Sequence, residues 1–341
     1  MTASKREMAY VVGCDISSET GEGFLANSLI ELVQTRFDVT VYSDWFVQSF
    51  RSHQLLRDRV LPLYFFLVCM LLRLGRHRVV FLNYVPIWNF LNAILARCGV
   101  KLGPITGSVL VVPTRASLKE RIIRLYLQRI FITLSEWLLP RRSFLWCATP
   151  SVFLRLQNSG LRNLGFGFPY LNKIESEPLM VKSYDLFIYS NRHPIKNHAA
   201  VLQFLASPLT RGFKICYVGP TTKTQQNVSS FGPISEKEFN HLLASSRLYI
   251  TLSFEDGGIT GFKALAYGIP VLCPRSSGLA FAVQYGDSYC FKDPYNIEDI
   301  VNRASFLLRS WTVEQKSILI EHFDKLKEKY DNTSIKWVSS L

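Results

Sequence analysis

The stretch Ser253 to Pro270, SFEDGGITGFKALAYGIP, decides more about this chain than any other. A Gly-Gly pair, preceded by the carboxylates of Glu255 and Asp256, opens into the apolar helical stretch Phe262 to Tyr267. A glycine loop ahead of a helix leaves backbone N–H groups unpaired at the positive end of the helix dipole, which suits a phosphate. A diphosphate fits this pattern. Strand-like runs lie on both sides, RLYITL (247–252) before and PVLC (270–273) after, so the stretch reads as strand, loop, helix, strand.

The same alternation extends outward. DLFIYS (185–190), a helix over 197–206, KICYVG (214–219), a helix over 235–246, a helix over 259–267 and a helix over 296–309 complete one α/β series. In the first half, AYVVG (9–13) stops at glycine, a polar stretch Cys14 to Gly23 follows, Phe24 to Val33 has helical spacing, and DVTVY (38–42) is strand-like. Val79–Leu82 and Val109–Val112 are further strand candidates, with helical segments at 55–72, 88–98 and 116–139. Between the two series, Pro169 to Ser183 is polar, contains two prolines and reads as a linker. Two α/β sheets on one chain predict a ligand cleft outside the carboxyl ends of their strands.

Composition narrows the field. The chain has 341 residues, 48% apolar and 19% charged, which excludes disorder and low complexity and predicts two domains. Its net charge is +13, and the first 170 residues hold 20 Lys+Arg against 10 Asp+Glu, so +10 of that charge lies there. Such asymmetry points one half toward something anionic. The seven cysteines are scattered, with no CxxC pair, so neither a disulfide framework nor a zinc site is expected. The N-terminus reads as free of a secretory signal. The longest apolar run, Val60 to Leu72, has 13 residues, short of the ~20 needed to span a bilayer.

The stretch 253–270 also resembles the C-terminal lobe of the GT-B glycosyltransferases of the family 4 type, which carries Glu, seven residues, Glu and then AMAxGxPV. Glu255 stands at the first acidic position, Ala264 to Val271 (ALAYGIPV) follows the rest, and Lys263 occupies the second acidic position. Three other stretches match in order. SNRHPIKN (190–197) resembles the family's GRxxxEKN loop, one residue shorter between Arg192 and Lys196. Gly21-Glu22-Gly23 with the strand 38–42 resembles its N-terminal glycine loop and HEVTV strand, and Phe231-Gly232-Pro233-Ile234 resembles the FxGxV turn beside the nucleotide base.

The resemblance implies a GT-B fold: an N-terminal Rossmann-like lobe over 1–170 on the acceptor and membrane side, a C-terminal donor lobe over 171–314, and a segment 315–341 returning to the first lobe. It implies transfer of a sugar from a nucleotide-sugar donor to a lipid-linked or glycan acceptor, with retention and without metal or other cofactor, at the cytoplasmic face of a bacterial membrane. Arg192 and Lys196 would put two cations on the leaving diphosphate; the alternative is a solvated pair at a helix start. Glu255 would hold donor hydroxyls, or is an exposed loop carboxylate. The backbone N–H groups of Gly258, Ile259 and Thr260 would meet phosphate oxygens, or form a plain cap. Ile234 would lie beside the base. Gly21 and Gly23 would let the first loop approach the donor, or make a tight turn.

Lys263 departs from the pattern. The family's Glu accepts hydrogen bonds from ribose hydroxyls, and a lysine has no acceptor. Either it reaches a phosphate or an acidic sugar, or it is a surface helix residue. No His stands in Val109–Ala116, where relatives place one near the donor sugar, whereas LGPITGS (102–108) resembles a GPxGG turn lining the acceptor side. His193 and His198 read as helix-start residues. Basic and aromatic residues flank the apolar runs at 51–78 and 115–142, which suits an anionic lipid surface; a core helix with a basic edge is the alternative. No nucleic-acid module is recognised. Two rival functions stay open: a GT-B epimerase or phosphorylase, and a catalytically silent partner that binds a glycan or another transferase.

Overall fold

The structure is a computed structural model that describes residues 7–13, 21–42, 54–82, 85–107, 122–168, 171, 174, 180–191, 196–220, 225–253, 258–283 and 287–341. The chain divides into two compact units, Met1–Lys173 with Lys329–Leu341, and Ile174–Glu328.

The first unit is built from β1 (Met8–Val12), α1 (Gly21–Gln34), β2 (Asp38–Tyr42), α2 (Gln54–Leu74), β3 (Arg78–Phe81), α3 (Phe90–Arg97), β4 (Lys101–Leu102), α4 (Gln128–Leu138, entered through a π-helical turn at Ile123–Leu127), β5 (Leu145–Cys147), α5 (Pro150–Asn158) and β6 (Leu164–Phe166). Four parallel strands run in the order β2-β1-β3-β4, and a parallel bridge from Ile105 to Cys147 links them to the β5-β6 pair. The period of two along β3 decides what covers each face. Val79 and Phe81 pack with Phe65 and Cys69 of α2, Ala93 and Ala96 of α3 and Ile132 of α4. Val80 and Leu82 face the other way, onto Leu25, Ala26, Leu29, Ile30 and Val33 of α1, a helical spacing that sets one apolar stripe against the sheet.

The second unit holds β7 (Tyr184–Tyr189), α6 (His198–Ala206), β8 (Ile215–Val218), β9 (Val228–Phe231), α7 (Glu236–Ala244), β10 (Ser246–Ile250), α8 (Ile259–Ala266), β11 (Val271–Pro274), α9 (Gly278–Val283), β12 (Cys290–Phe291), α10 (Ile297–Ser310) and the start of α11 (Val313–Ser339). Its six parallel strands run β12-β11-β10-β7-β8-β9, the doubly wound order in which direction reverses between the first and fourth strands. Here those strands are β7 and β10. Leu186, Ile188, Ile215, Tyr217, Leu248 and Ile250 are buried on one face beneath α6 and α10.

Helix α11 belongs to the second unit up to Glu328 and to the first from Lys329. Trp337, fully buried, donates its indole N–H to the Leu102 carbonyl at 2.7 Å and meets Trp146 edge to face at 5.6 Å. The sequence alone puts the start of this return at 315, whereas the first unit takes up the helix at Lys329.

One local expectation changes. Gly21 and Gly23 fall in the first turn of α1 instead of in a loop ahead of it; the first helical N–H groups have no intrahelical partner, so glycine costs less there than mid-helix. The helix expected over 55–72 is present as α2, which runs unbroken from Gln54 to Leu74. The strand expected at Val109–Val112 lies outside the described residues. No helix among the described residues is long and apolar enough to cross a membrane.

Candidate functional site

In the second unit the loops after β7 and β10 leave the carboxyl edge of the sheet at its reversal point, where open α/β sheets bind ligands. Asn197 joins them. It is buried, adopts a left-handed backbone (φ 49°, ψ 47°) ahead of α6, and donates from Nδ2 to the Leu252 carbonyl at 3.2 Å. Its Oδ1 accepts from the Tyr295 hydroxyl at 2.8 Å. Asparagine tolerates the left-handed region, and here both ends of its amide are used. The neighbouring Lys196 lays its ammonium 5.0 Å from the centre of the Tyr189 ring, a cation–π geometry. Ser190, fully buried at the end of β7, lies 3.0 Å from His198 Nδ1, so His198 braces the loop from the first turn of α6. Arg192 and His193 lie outside the described residues.

The loop after β10 delivers α8. Gly258 is its N-cap, with extended backbone and no side-chain cap, and Ile259 and Thr260 form its first turn. An eight-residue helix capped by glycine presents backbone N–H groups that no side chain caps among the described residues. Gly261 packs so closely that a Cβ there would lie 2.3 Å from Leu279 Cδ1. Glu255, Asp256 and Gly257 lie outside the described residues.

Lys263 does not stand apart as a lone cation. Its Nζ lies 2.6 Å from Glu236 Oε1 and 3.1 Å from Asn240 Oδ1, both on α7, and its side chain is 12% exposed against 71% for Glu236. Helix α7 is itself well anchored. Ser235 and Glu238 form a reciprocal capping box, and the hydrogen bonds from the Ser235 backbone and hydroxyl hold the Glu238 carboxyl below its ordinary range. Phe239 meets both Phe187 and Tyr189 of β7 edge to face, at 5.2 and 5.3 Å.

Beside α7, at the end of β9, a cavity of about 330 Å³ is lined by Phe231, Ile234, Lys237, Glu238, His241 and Leu242. Ile234 is thus part of an apolar recess with a polar rim, sized for a small planar group. Gly219 ends β8 at this edge, where a Cβ would lie 2.4 Å from the Tyr217 hydroxyl and 2.6 Å from the Ser190 carbonyl. Burial pushes the Tyr217 hydroxyl up to about 12. Gly219, Glu236, Asn240 and Tyr295 carry no motif of their own; the Phe231–Ile234 match points toward α7, whereas no sequence pattern links Tyr295 to Asn197.

In the first unit the turn 102–107 also reaches the carboxyl edge. Gly103 packs against the Leu82 backbone, where a Cβ would fall 2.0 Å from the carbonyl oxygen, and Gly107 has φ +116° with its carbonyl accepting from Thr149 Oγ1 at 2.9 Å. Gly23 is buried in α1. Among the described residues, no group of three His, Cys, Asp or Glu is placed to hold a metal ion.

No protein-family model and no curated protein sequence matches the chain. Solved structures do match. Sucrose-phosphate synthase from Thermosynechococcus elongatus aligns over 97% of both chains with a TM-score of 0.66 at 11% identity. Anabaena HepE, solved with UDP and glucose, aligns over 98% of both with a TM-score of 0.59 at 13% identity. The β-glucosyltransferase of phage T4, solved with UDP and Mn2+, covers 98% of this chain and 99% of its own, with a TM-score of 0.54 at 10% identity. The fold is GT-B. At these identities the likeness is one of fold, and the GT-B neighbours that share it are glycosyltransferases.

Proposed function

We propose that this chain is a glycosyltransferase that takes a sugar from a nucleotide donor, UDP-sugars being the first choice, and passes it to a lipid-linked or membrane-presented glycan. The observation that carries the reading is the reversal point of the second sheet. There Asn197 ties the loop bearing Lys196 to the loop that delivers the glycine-capped N-terminus of α8. A cation and a helix N-terminus brought to one sheet edge suit a diphosphate.

In this reading Lys196 and Arg192 neutralise the charge that develops on the departing diphosphate, and the N–H groups of Gly258, Ile259 and Thr260 donate hydrogen bonds to its oxygens. Glu255 holds donor hydroxyls and the recess at Ile234 takes the base. Gly21 and Gly23 stand on the side of the first unit. The mechanism is of the family 4 type, retaining and independent of metal. Lys263 is outside this set, since Glu236 and Asn240 occupy its ammonium.

The membrane part rests on the first unit. Helix α2 exposes Leu63, Leu67, Leu71 and Leu74 along one stripe, and α4 with its π-helical turn exposes Tyr126, Ile130 and Trp137. Arg73, Arg76, Arg129 and Arg141 lie among or beside them. Apolar stripes edged with arginine suit an anionic bilayer face, here the inner face of the cytoplasmic membrane.

A second reading, a silent partner that binds glycan or another transferase, draws support from the occupied Lys263. A donor-hydrolysis assay over UDP-, GDP- and ADP-sugars, with and without EDTA, decides between them. Turnover that survives EDTA and falls about 30-fold or more in Lys196→Ala supports the transferase. No turnover together with no nucleotide binding supports the silent partner.

A further inference from the structure

A second cavity, of about 530 Å³, lies in the first unit and is lined by Arg73, Arg76, Arg78, Lys101 and Arg142. It sits where β3, β4 and β5 begin, the edge of the sheet opposite to the turn 102–107. Its volume is within the usual range of small-ligand pockets, roughly 300–1,000 Å³. Five cations share one cavity. Among the described residues, the carboxylate side chain that pairs with any of them is Glu7, 2.6 Å from Arg78.

The cations fall into two sets. Arg73 is structural: its Nε donates to the Cys98 carbonyl and its Nη1 to that of His77, both at 3.2 Å. Lys101 donates to the Phe144 carbonyl at 2.8 Å and to Ser340 Oγ at 2.5 Å, so its ammonium is half-buried against neutral acceptors. Burial lowers its pKa to about 8. Arg76, held by a left-handed turn at φ 60°, and Arg142 are exposed at the cavity and have no side-chain partner among the described residues. Two arginines without partners and a desolvated lysine without a counter-ion are the complement of a phosphate.

We infer that this cavity binds a phosphate-bearing anion, with Arg76 and Arg142 as its clamps and Lys101 as its floor. The site is separate from the reversal point of the second sheet and stands whether or not the donor reading holds. Its ligand comes either from solution or from a lipid headgroup, and Leu71 and Leu74 on the same helix as Arg73, both at least two-thirds exposed, lead toward it.

The test compares the full chain with Arg76→Gln/Arg142→Gln, and with Arg211→Gln/Lys329→Gln as a control of equal charge loss elsewhere. Each is titrated with inorganic phosphate and sedimented with phosphatidylcholine vesicles with or without phosphatidic acid. Saturable phosphate binding that weakens by about tenfold or more only in the cavity variant supports the site with a free ligand. Vesicle binding that requires phosphatidic acid and is lost only in the cavity variant supports a lipid source. A wild type that binds neither, or equal losses in cavity variant and control, overturns the inference. As a measurement without variants, phosphate should slow acylation of Lys101 by an amine-reactive ester at pH 8 by about threefold or more; an unchanged rate also overturns it.

Discussion

The amide of Asn197 reaches the carbonyl of Leu252 at 3.2 Å, fixing together the two loops that leave the sheet of the second unit at its reversal point. The bond is buried, and the Tyr295 hydroxyl fills the other end of the same amide. Because the Asn197 backbone is left-handed, glycine is the substitution that removes both bonds without adding backbone strain. Asn197→Gly should lose about 1–3 kcal/mol in urea unfolding and weaken nucleotide binding more than a distant mutation of equal cost. Unchanged stability would remove the tether from the account.

The Lys263–Glu236 pair separates packing from ligand recognition. Lys263→Glu sets two carboxylates against each other where a 2.6 Å ion pair stands, and should cost about 1–3 kcal/mol. The double exchange Lys263→Glu/Glu236→Lys should recover most of that loss. Failure to recover would mean that Lys263 serves something other than α7.

Gly219 is expected to tolerate no side chain, since a Cβ meets both the Tyr217 hydroxyl and the Ser190 backbone within 2.6 Å. Gly219→Ala should destabilise by about 1–3 kcal/mol and shift the end of β7 beneath the site. Thermal unfolding with and without nucleotide checks both effects.

Lys101 carries a pH signature. Its folded pKa, lowered to about 8 by burial, lies below the unfolded value near 10.4, so between these values the unfolded chain binds more protons and stability rises with pH. Relative to Lys101→Met, the wild type should gain about 1–2 kcal/mol from pH 7.5 to 10 in phosphate-free buffer, the full linkage being reduced by the side chain's contact with solvent. The comparison within one background cancels the opposite trend of the buried Cys69 and Cys216 thiols, pushed up to about 12. A difference that does not vary with pH would contradict the burial argument.

What sequence made legible was set by length and period. The strand read at 185–190 and found at 184–189, and the helix beginning at Ile259, are legible because apolar runs end abruptly in polar or glycine residues. β4 and β12 have two residues each, too few for any alternation to register. Helix α11 carried a usable signal, with Leu319, Phe323, Leu326, Tyr330 and Trp337 at helical spacing, yet its charged faces lower the mean hydropathy. Lys263 illustrates a different limit: its motif position suggested a ligand, whereas its partners, Glu236 and Asn240, lie 27 and 23 residues upstream. Only the packing of α7 on β7 brings them within reach. The cationic cavity was equally hidden, because its residues are scattered from Arg73 to Leu341.

The most direct test is calorimetric titration of UDP into the wild-type chain and into Lys196→Ala. The account expects saturable binding by the wild type and an affinity lower by about tenfold or more in the variant, as for loss of a charge-assisted contact to phosphate. Binding of equal strength in both, or none in the wild type with UDP, GDP or ADP, would contradict the placement of a nucleotide diphosphate at the reversal point of the second sheet.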